Sequence, residues 1–527
     1  MKILITDPVD ASCIEILKEE GFDVDYSPGI SPEEIQKKIV DVEAMIVRSS
    51  TNVTREVLTA GQRLKAVGRA GAGVDNIDVQ TATRRGIIVM NTPGGNTIST
   101  AEHTISMMLA LARNIPQAHQ SVVEGKWERK KFVGSELYGK TIGIVGLGKV
   151  GSEVARRCLA FEMNVVAYDP ILSSEAASKL GIALVTLQEL YERSDIITVH
   201  SPLTEETKGL IGESALLRCK RGVKVINCAR GGIVDEQALL NALNDGRVSG
   251  AALDVFENEP PVNFPLLKHP HVIVTPHLGA STEEAQEKVA IQIAHQIADV
   301  LKGRGISGSV NADIIAMAMR DDVRPFFELA EKLGKLIAQL LDGNLRTITV
   351  GVTGEMLHES LHALGAAVLK GILEARLDEP INYLNAPIIA RERGIGLQFH
   401  QDEKHDLYSN VLSVGYGTEQ ERQKFSGTVF GNRDVRIISI DKFHFEIKPE
   451  GHLLFYSNID RPGMLAAVGG ILARHDINIG GLSLGRYGPG EKALTVISVD
   501  NPVSKQILAE IAKLEGVSDV RLAVLST

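Results

Sequence analysis

Cysteine is scarce in this chain of 527 residues: Cys13, Cys158, Cys219 and Cys228 lie far apart and form no CxxC pair. A disulfide framework needs several closely spaced cysteines in a short secreted chain, and a structural zinc site needs clustered thiolates. The spacing excludes both patterns. It predicts four small apolar core residues in a reducing compartment, and no metal site.

The chain also lacks long apolar runs and long basic runs. No run approaches the roughly 18–20 residues that span a bilayer, and the opening letters MKILITDP predict a strand instead of a signal peptide. The net charge is −10, and the one short basic run is ERKKF at 128–132. Binding to nucleic acid needs concentrated Lys and Arg. We therefore expect a cytoplasmic protein with no nucleic-acid or membrane partner.

What the chain has in plenty is alternating strand and helix signals. Hydrophobic residues make up 44% of it and charged residues 23%, a composition typical of globular proteins, and the length predicts three or four domains. Up to about residue 300, apolar strands such as KILIT and GIIVMN alternate with amphipathic helices. Strands that are apolar throughout indicate burial on both faces, so we predict α/β lobes with doubly wound parallel sheets.

Two long helical stretches, 96–118 and 283–302, flank the second set of strands. The simplest arrangement inserts a second α/β lobe, residues 98–285, into a first lobe made of residues 1–97 and 286–305. The chain would then cross twice between the lobes and leave a cleft, and such clefts are preferred ligand sites.

The remaining chain predicts two further domains. A Gly/Ser-rich linker, GRGISGSV at 303–310, precedes residues 311–447, where mixed helix and strand signals predict an α+β domain. Residues 451–527 show the order βαββαβ, which predicts a ferredoxin-like domain.

A glycine-rich turn marks the second lobe. The sequence TIGIVGLGKVG places Gly146, Gly148 and Gly151 after an apolar strand and at the start of a helix. The first glycine permits a tight turn, the second lets the backbone approach a pyrophosphate, and the third lets helix and strand pack closely. With Lys149 and Val150 between them, these residues predict a Rossmann-type dinucleotide site at a helix N-terminus.

The next strand, NVVAYDP, ends in Asp169, 18 residues after Gly151. A carboxylate at this place holds the adenosine ribose hydroxyls and repels a 2′-phosphate. We therefore predict NAD, and not NADP, as the cofactor.

Three chemically distinct side chains follow strands of the same lobe: Arg230 in CARGGIVDE, Glu259 in DVFENEPP and His277 in VTPHLGAST. Hydride transfer to a 2-keto acid needs a planar cation for the carboxylate, a proton donor with a pKa near 7, and an acid that fixes the donor's tautomer. Arginine, histidine and glutamate meet these needs in turn. We predict these three as the catalytic residues.

Each assignment has an alternative. An arginine after a strand is often a solvated loop charge, and a lone histidine is often structural. Glu257 competes with Glu259, although two residues so spaced on an extended segment point in opposite directions. His269 and His271 are less favoured donors because their segment predicts a surface loop.

With the segments GRAGAGVDNID, GIVGLGKVG, CARGGIVDE, ALDVFENEPP and PHLGAST, the chain resembles the NAD-dependent D-2-hydroxyacid dehydrogenases. The likeness is strong over 1–305 and extends through the tail of the long members that oxidise 3-phosphoglycerate for serine synthesis. It implies a flavodoxin-like substrate lobe, an inserted NAD lobe that also uses Asp254, an intervening regulatory domain and an ACT domain. It further implies a homo-oligomer, which we expect to be a tetramer.

A phosphorylated hydroxyacid needs cations beyond Arg230. Arg48, Arg69 and the WERKK segment around Arg129 are candidates for the phosphate, and the glycine-rich loop at Gly71 could cradle the carboxylate. We add Asn96 to this substrate set. In the tail, the ACT resemblance implies that Asp460 and Asn478 bind an amino-acid effector, which we expect to be L-serine.

Three weaker readings stay open. Arg436, His444 and Lys448 could form an anion site or a solvated strand edge. The chain could instead reduce hydroxypyruvate or a related unphosphorylated acid. It could also be an NAD-sensing binding protein of the same fold, which predicts negligible turnover.

Overall fold

The structure is a computed structural model that describes residues 1–262, 265–402, 404–419, 421–431 and 433–525. Within these residues the chain forms four β-sheets of five, seven, six and four strands. The first two sheets build the α/β lobes, and the other two build the tail domains.

The first lobe is a parallel sheet in the order β2-β1-β3-β4-β5. Its strands are β1 Lys2–Ile5, β2 Asp23–Tyr26, β3 Ala44–Val47, β4 Ala66–Arg69 and β5 Ile88–Asn91. Its helices are α1 Ala11–Glu19, α2 Pro32–Lys38, α3 Arg55–Ala60 and α4 Val79–Arg84. The central strand β3 is buried along its whole length, as its AMIV sequence requires. The strand order confirms the predicted flavodoxin-like lobe.

The second lobe is a parallel sheet in the order β12-β11-β10-β9-β6-β7-β8. Its strands are β6 Thr141–Val145, β7 Asn164–Tyr168, β8 Ala183–Leu184, β9 Ile196–Val199, β10 Val223–Asn227, β11 Val248–Leu253 and β12 Val272–Val274. Its helices are α5 Thr97–Arg113, α6 Ile115–Val123, α7 Lys149–Ala160, α8 Ser174–Lys179, α9 Leu187–Arg193, α10 Glu213–Arg218 and α11 Glu236–Asn244. The order reverses beside β6, which confirms the Rossmann-type lobe and places a ligand crevice at that point.

The long helix predicted over 96–118 is wrong in one respect, because the structure has two helices there. Asn114 adopts a left-handed conformation with φ 51°, which ends α5, and Pro116 lies in the first turn of α6. Asparagine tolerates this conformation, and proline is accommodated at a helix start, so the break is encoded locally.

Helix α12, Glu283–Lys302, returns the chain to the first lobe. Its buried face includes Ile293 and Ile297, which pack on β4. A Cβ built on Gly68 of that strand would lie only 2.8 Å from Cγ1 of Ile293, so glycine permits the close approach. The second lobe is thus inserted in the first, and the carboxyl ends of both sheets border one cleft.

The third domain packs helices against a six-stranded sheet in the order β14-β13-β15-β16-β17-β18, in which β13 and β14 are parallel and the other neighbours antiparallel. Its helices are α13 Asp313–Ala318, α14 Arg324–Leu340, α15 Glu355–His358, α16 Leu361–Glu374 and α17 Ala386–Glu392. Its strands are β13 Thr347–Thr353, β14 Gly396–Asp402, β15 Val411–Gly417, β16 Arg422–Phe430, β17 Asp434–Ile440 and β18 Phe443–Ile447. These elements confirm the predicted α+β class.

The last domain has the order β20-β21-β19-β22, which confirms the ferredoxin-like prediction. Its elements are β19 Gly451–Ile459, α18 Met464–Arg474, β20 Ile479–Arg486, β21 Lys492–Val499, α19 Lys505–Ala512 and β22 Val517–Leu525. Leu453, Phe455 and Leu525 share one hydrophobic core with the third domain. Arg521 adds an ion pair of 2.5 Å to Asp342, so the two tail domains form a continuous body.

All four cysteines are buried and unpaired. Among the described residues, no helix combines the length and apolar character that a membrane crossing needs. The same residues contain no group of three or more His, Cys, Asp or Glu side chains arranged to hold a metal ion.

Candidate active site

A cleft of about 620 Å³ lies between the two α/β lobes. The parallel strands of both sheets end at it, so the residues that follow each strand line its walls. Most of the residues predicted for substrate and catalysis meet here: Arg48, Arg69, Gly71, Asn96, Arg230, Glu259 and His277.

His277 and Glu259 form a direct pair in this cleft. His277 Nδ1 lies 2.7 Å from Glu259 Oε2, and Glu259 Oε1 accepts a hydrogen bond of 3.0 Å from the Phe256 N–H. Burial raises the pKa of the Glu259 carboxyl, but these hydrogen bonds lower it more, so its pKa lies below the usual value. The carboxylate therefore remains charged near neutral pH and fixes the ring so that Nε2 is the nitrogen available for proton transfer.

Asp254 holds the loop that carries His277. The His277 N–H donates to the Asp254 carbonyl at 2.9 Å, although the histidine has an unusual positive φ of 55°. The Asp254 carboxylate accepts bonds from the N–H groups of Leu278 and Gly279 at 2.7 and 2.9 Å. Since its side chain has no exposed area, Asp254 acts on the site through this loop, and its cofactor role stays a prediction.

The competing residues are placed elsewhere. The Glu257 N–H bonds to Glu236 at 2.7 Å, and Glu257 lines a separate cavity on the far side of Pro260 and Pro261. His269 and His271 precede β12, with ring centroids 5.6 Å apart, and do not line the interlobe cleft. The structure therefore pairs Glu259, and not Glu257, with the cleft histidine.

Arg230 projects from the turn that follows β10. Its Nη1 donates to the Ala229 carbonyl at 2.7 Å, and Asn227 Nδ2 donates to the Arg230 carbonyl at 2.9 Å. Its Nε donates at 3.1 Å to Asp75, which belongs to the opposite lobe. A Cβ on Gly73 would overlap Nη2 of the guanidinium, so the arginine packs directly on the glycine-rich loop.

Two more arginines line the first lobe. Arg69 ends β4, its Nε is buried without a hydrogen-bond partner, and no carboxylate of the described residues lies within ion-pair distance of it. Burial lowers the pKa of the Arg69 guanidinium, and the charge of Arg230 lowers it further. Arg48 donates from Nη1 to the Pro8 carbonyl at 3.1 Å. An anion in the cleft would compensate this concentrated positive charge.

Of the other predicted substrate residues, two line the cleft and one does not. Gly71 lies under the Arg69 guanidinium, where a Cβ would come within 2.8 Å of Nη1, and Asn96 lines the cleft at the start of α5. Arg129 lies in an exposed short 3-10 helix, Arg129–Phe132, and does not line the cleft of its own chain.

The glycine turn of the second lobe has the shape that a dinucleotide needs. Gly146 has φ 90°, and a Cβ there would lie 2.7 Å from the His200 carbonyl oxygen, while one on Gly151 would overlap the Gly146 carbonyl. The space above Gly148 is open, so backbone can approach a pyrophosphate at the start of α7. Lys149 begins that helix and its Nζ donates to the Pro93 carbonyl at 3.2 Å, while Val150 follows it.

Asp169 follows β7 beside this turn. Its carboxylate accepts bonds of 2.8 and 2.9 Å from the N–H groups of Leu147 and Ile171, and a further one of 2.9 Å from the Leu172 N–H. Burial raises the pKa of Asp169, but these bonds lower it more, so a fixed negative charge borders the glycine turn. The residues present thus fit NAD.

Asp75 and Asn76 are site residues that sequence reasoning missed. Asn76 Nδ2 donates to the Arg48 and Thr51 carbonyls at 2.7 and 2.5 Å, which braces the loop after β4. Both residues belong to the quoted segment GRAGAGVDNID, so the local signal was polar side chains beside the glycines. Their hydrogen-bond partners are distant in sequence, so the local pattern did not reveal what these two side chains do.

The predicted effector residues of the last domain are already engaged. Asp460 Oδ2 accepts a bond of 2.7 Å from Arg486, and Asn478 Nδ2 donates to Asp500 at 2.6 Å. Gly463 caps α18 with φ 89°. In the third domain, Arg436 pairs with Asp434 at 2.8 Å and Lys448 lies 3.8 Å from the same carboxylate, so that edge is partly neutralised.

Three family models match the chain. Residues 105–279 match the D-isomer specific 2-hydroxyacid dehydrogenase NAD binding domain. Residues 322–441 match the D-3-phosphoglycerate dehydrogenase intervening domain, and residues 452–516 match the ACT domain. The matches support NAD as the cofactor and identify both tail domains.

Relatives that align with the whole chain support the same family assignment. A D-3-phosphoglycerate dehydrogenase of Archaeoglobus fulgidus is 45% identical over 522 residues, 98% of this chain and 99% of that protein. One from Bacillus subtilis is 40% identical over 528 residues, 99% of each. The crystal structure of D-lactate dehydrogenase from Aquifex aeolicus complexed with NAD and lactic acid is 29% identical, covers 57% of this chain and 96% of that one, and has a TM-score of 0.51. This chain belongs to the D-3-phosphoglycerate dehydrogenase family, within the D-isomer specific 2-hydroxyacid dehydrogenases.

Proposed function

We propose that this protein oxidises D-3-phosphoglycerate to 3-phosphohydroxypyruvate with NAD⁺, the first step of the phosphorylated route to L-serine. The observation that carries the proposal is the joint presence, in one cleft, of the His277–Glu259 pair, Arg230 and the two first-lobe arginines. Whole-chain relatives of that name, such as the one from Archaeoglobus fulgidus, support the substrate.

His277 is the acid/base. In the oxidation, its Nε2 accepts the proton of the substrate's C2 hydroxyl, and Glu259 stabilises the imidazolium that forms. NAD⁺ bound at the glycine turn would supply the hydride acceptor for C2. In the reverse reduction the same imidazolium returns the proton to the keto oxygen, so both directions use one residue.

Arg230 binds the carboxylate and polarises the C2 oxygen, since its planar guanidinium presents paired donors. The loop at Gly71 places backbone N–H groups beside the same carboxylate. Arg69 and Arg48 bind the phosphate at the other end, with Asn96 in support. The charge of Arg69 lacks a carboxylate partner among the described residues, which fits an anionic ligand.

For the cofactor, Gly146, Gly148 and Gly151, with the N–H groups of Lys149 and Val150, would hold the pyrophosphate. Asp169 would hold the adenosine ribose and disfavour a 2′-phosphate. Asp254 would support the cofactor site through the loop of His277.

We propose that the protein is a homo-oligomer, and specifically a tetramer. The segment around α6 exposes a series of large apolar side chains: Ile115, Val122, Val123, Trp127, Val133 and Tyr138. Such a patch is typical of a protein interface. Arg129 lies within it and would reach a partner's cleft.

The tail is regulatory. L-serine binds the ACT domain at Asp460 and Asn478 by displacing the internal contacts of these side chains. The functional units are residues 1–97 with 286–305 for substrate, 98–285 for NAD, 311–447 as the intervening domain and 451–527 as the ACT domain. A cytoplasmic location stays a prediction.

The test follows NADH oxidation with 3-phosphohydroxypyruvate and with hydroxypyruvate, each with and without L-serine. We expect a strong preference for the phosphorylated acid and suppression by serine. Preference for the phosphorylated acid without suppression by serine would contradict only the proposal that serine is the effector. Equal use of both acids would assign the chain to unphosphorylated substrates, and no turnover in protein that binds NADH would favour a sensor.

A further inference from the structure

The carboxylate of Asp75 stands opposite the arginine on which substrate binding depends. Asp75 belongs to the loop after β4 in the first lobe, and Arg230 to the turn after β10 in the second. Their ion pair of 3.1 Å joins positions 155 residues apart and bridges the two walls of the cleft. The contact is therefore a link between the lobes at the site itself.

The three nitrogens of the guanidinium have different neighbours. Nε donates to Asp75 and Nη1 donates to the Ala229 carbonyl, while Nη2 occupies the space that a Cβ on Gly73 would need. Of the side chains described here, Asp75 is the one that contacts this guanidinium through a hydrogen bond. It therefore decides which edge of Arg230 faces the glycine-rich loop.

The backbone that carries Asp75 is held firmly. The Thr92 N–H donates to the Gly71 carbonyl at 3.0 Å, and Asn91 Nδ2 donates to the Ala72 carbonyl at 2.5 Å. Asn76, the next residue, donates to two carbonyls of the loop after β3. A carboxylate on so braced a loop is a fixed reference for a flexible arginine.

The negative charge of Asp75 predicts the opposite effect on substrate binding. A carboxylate beside three arginines repels an anionic substrate, so its removal alone would strengthen substrate binding by electrostatics. The two roles thus predict opposite changes in KM. Because Asp75 is 73% exposed, solvent screens its charge strongly, whereas the direct hydrogen bond to Arg230 remains.

We propose that Asp75 is a positioning residue that orients Arg230 across the interlobe cleft for the carboxylate of the 2-keto acid. The proposal rests on the function proposed above, in which Arg230 binds that carboxylate. In this role Asp75 acts through the arginine and not on the reacting atoms themselves.

The test compares Asp75→Ala with Asp75→Asn, which keeps a hydrogen-bond acceptor, in the full-length protein. Asp23→Asn, at an exposed carboxylate on outer strand β2 of the same lobe, is the control. We expect KM for 3-phosphohydroxypyruvate to rise roughly 10-fold in Asp75→Ala and less in Asp75→Asn, as for loss of a charge-assisted contact. NADH affinity and kcat should change less than about threefold. A lower KM in both variants would overturn the proposal, since Asp75 would then be only a repelling charge.

A double-mutant cycle separates positioning from a general structural role. If Asp75 acts through Arg230, adding Asp75→Ala to Arg230→Lys should raise KM little beyond Arg230→Lys alone. Multiplicative effects would contradict the proposal.

Oxalate, a dicarboxylate mimic of the keto acid, gives a readout without turnover through quenching of bound NADH fluorescence. If wild-type protein turns over neither acid, the proposed function fails. Weaker oxalate binding in Asp75→Ala would still support the positioning role in that case, and unchanged binding would reject it.

Discussion

The interlobe cleft and the predicted effector residues of the ACT domain differ in how their polar groups are used. In the cleft, Arg69 keeps a buried Nε without a partner, and the His277–Glu259 pair leaves one ring nitrogen for chemistry. In the ACT domain, Asp460 is bonded to Arg486 and Asn478 to Asp500. The first site is organised for a ligand within one chain, whereas the second is closed by its own contacts.

The difference follows from the two kinds of sheet. Parallel strands all have their carboxyl ends at one edge of the sheet, so the residues that follow them lie close together there even when they are distant in sequence. In the antiparallel ACT sheet, Asp460 follows β19 and accepts a bond from Arg486 at the end of β20. Asn478 precedes β20 and donates to Asp500, which follows β21. An effector at these two residues would therefore compete with existing hydrogen bonds.

The largest effect should come from His277→Ala. Loss of the acid/base should lower kcat by roughly 10²–10⁴-fold while NADH still binds. Steady-state kinetics with 3-phosphohydroxypyruvate and fluorescence titration of NADH check both parts. Turnover close to that of the wild type would show that His277 is not the acid/base. The contrast between a catalytic cleft and a regulatory ACT domain would then lose its basis.

Arg230→Lys should lower kcat/KM by roughly 10²-fold, because lysine cannot reproduce the planar paired donors at the substrate carboxylate. Thermal stability should be nearly unchanged, since the side chain is about a third exposed. The measurement is kinetics together with a melting curve. Normal kinetics would return Arg230 to the role of a solvated loop charge.

Glu259→Gln should lower kcat across the neutral pH range. Because the pKa of Glu259 lies below its usual value, the carboxylate stays negative there and orients His277 through Nδ1. A neutral amide cannot offset the positive charge that forms on the ring during proton transfer, so kcat should fall roughly 10-fold. Rates measured from pH 6 to 10 test this, and a kcat close to wild type would separate Glu259 from proton transfer.

The smallest predicted effect is the change in Tm when L-serine binds the ACT domain. L-serine should raise the Tm of the wild-type protein by a few degrees, as a ligand of the native state does. Asp460→Asn should abolish the shift, whereas Asp519→Asn, at an exposed acid in β22 of the same domain, should retain it. A shift that persists in Asp460→Asn would place the effector elsewhere.

The sequence predicted most of the architecture because its signals are local. Apolar strands, the glycines at 146–151 and the βαββαβ order of the tail each act over a few residues, and the structure confirms the folds they imply. The break at Asn114 was missed because a single left-handed residue barely alters the apolar pattern.

The site was predicted less completely than the folds. Arg230, Glu259 and His277 follow strands, so topology alone brings them together. The Asp75–Arg230 pair and the Asp460–Arg486 pair depend on side-chain partners that no local pattern specifies. Asp254 shows the same limit, since its burial and its hold on the His277 loop appear only in three dimensions.

The central claim is that the first lobe presents an arginine for the substrate phosphate. The most direct test measures kcat/KM of wild-type protein and of Arg69→Gln with both 3-phosphohydroxypyruvate and hydroxypyruvate. We predict a loss of roughly 10²-fold for the phosphorylated acid, as for an unpaired buried ion contact, and a change below about threefold for the other. Equal losses on both acids would contradict the claim, because Arg69 would then bind the carboxylate that the two share.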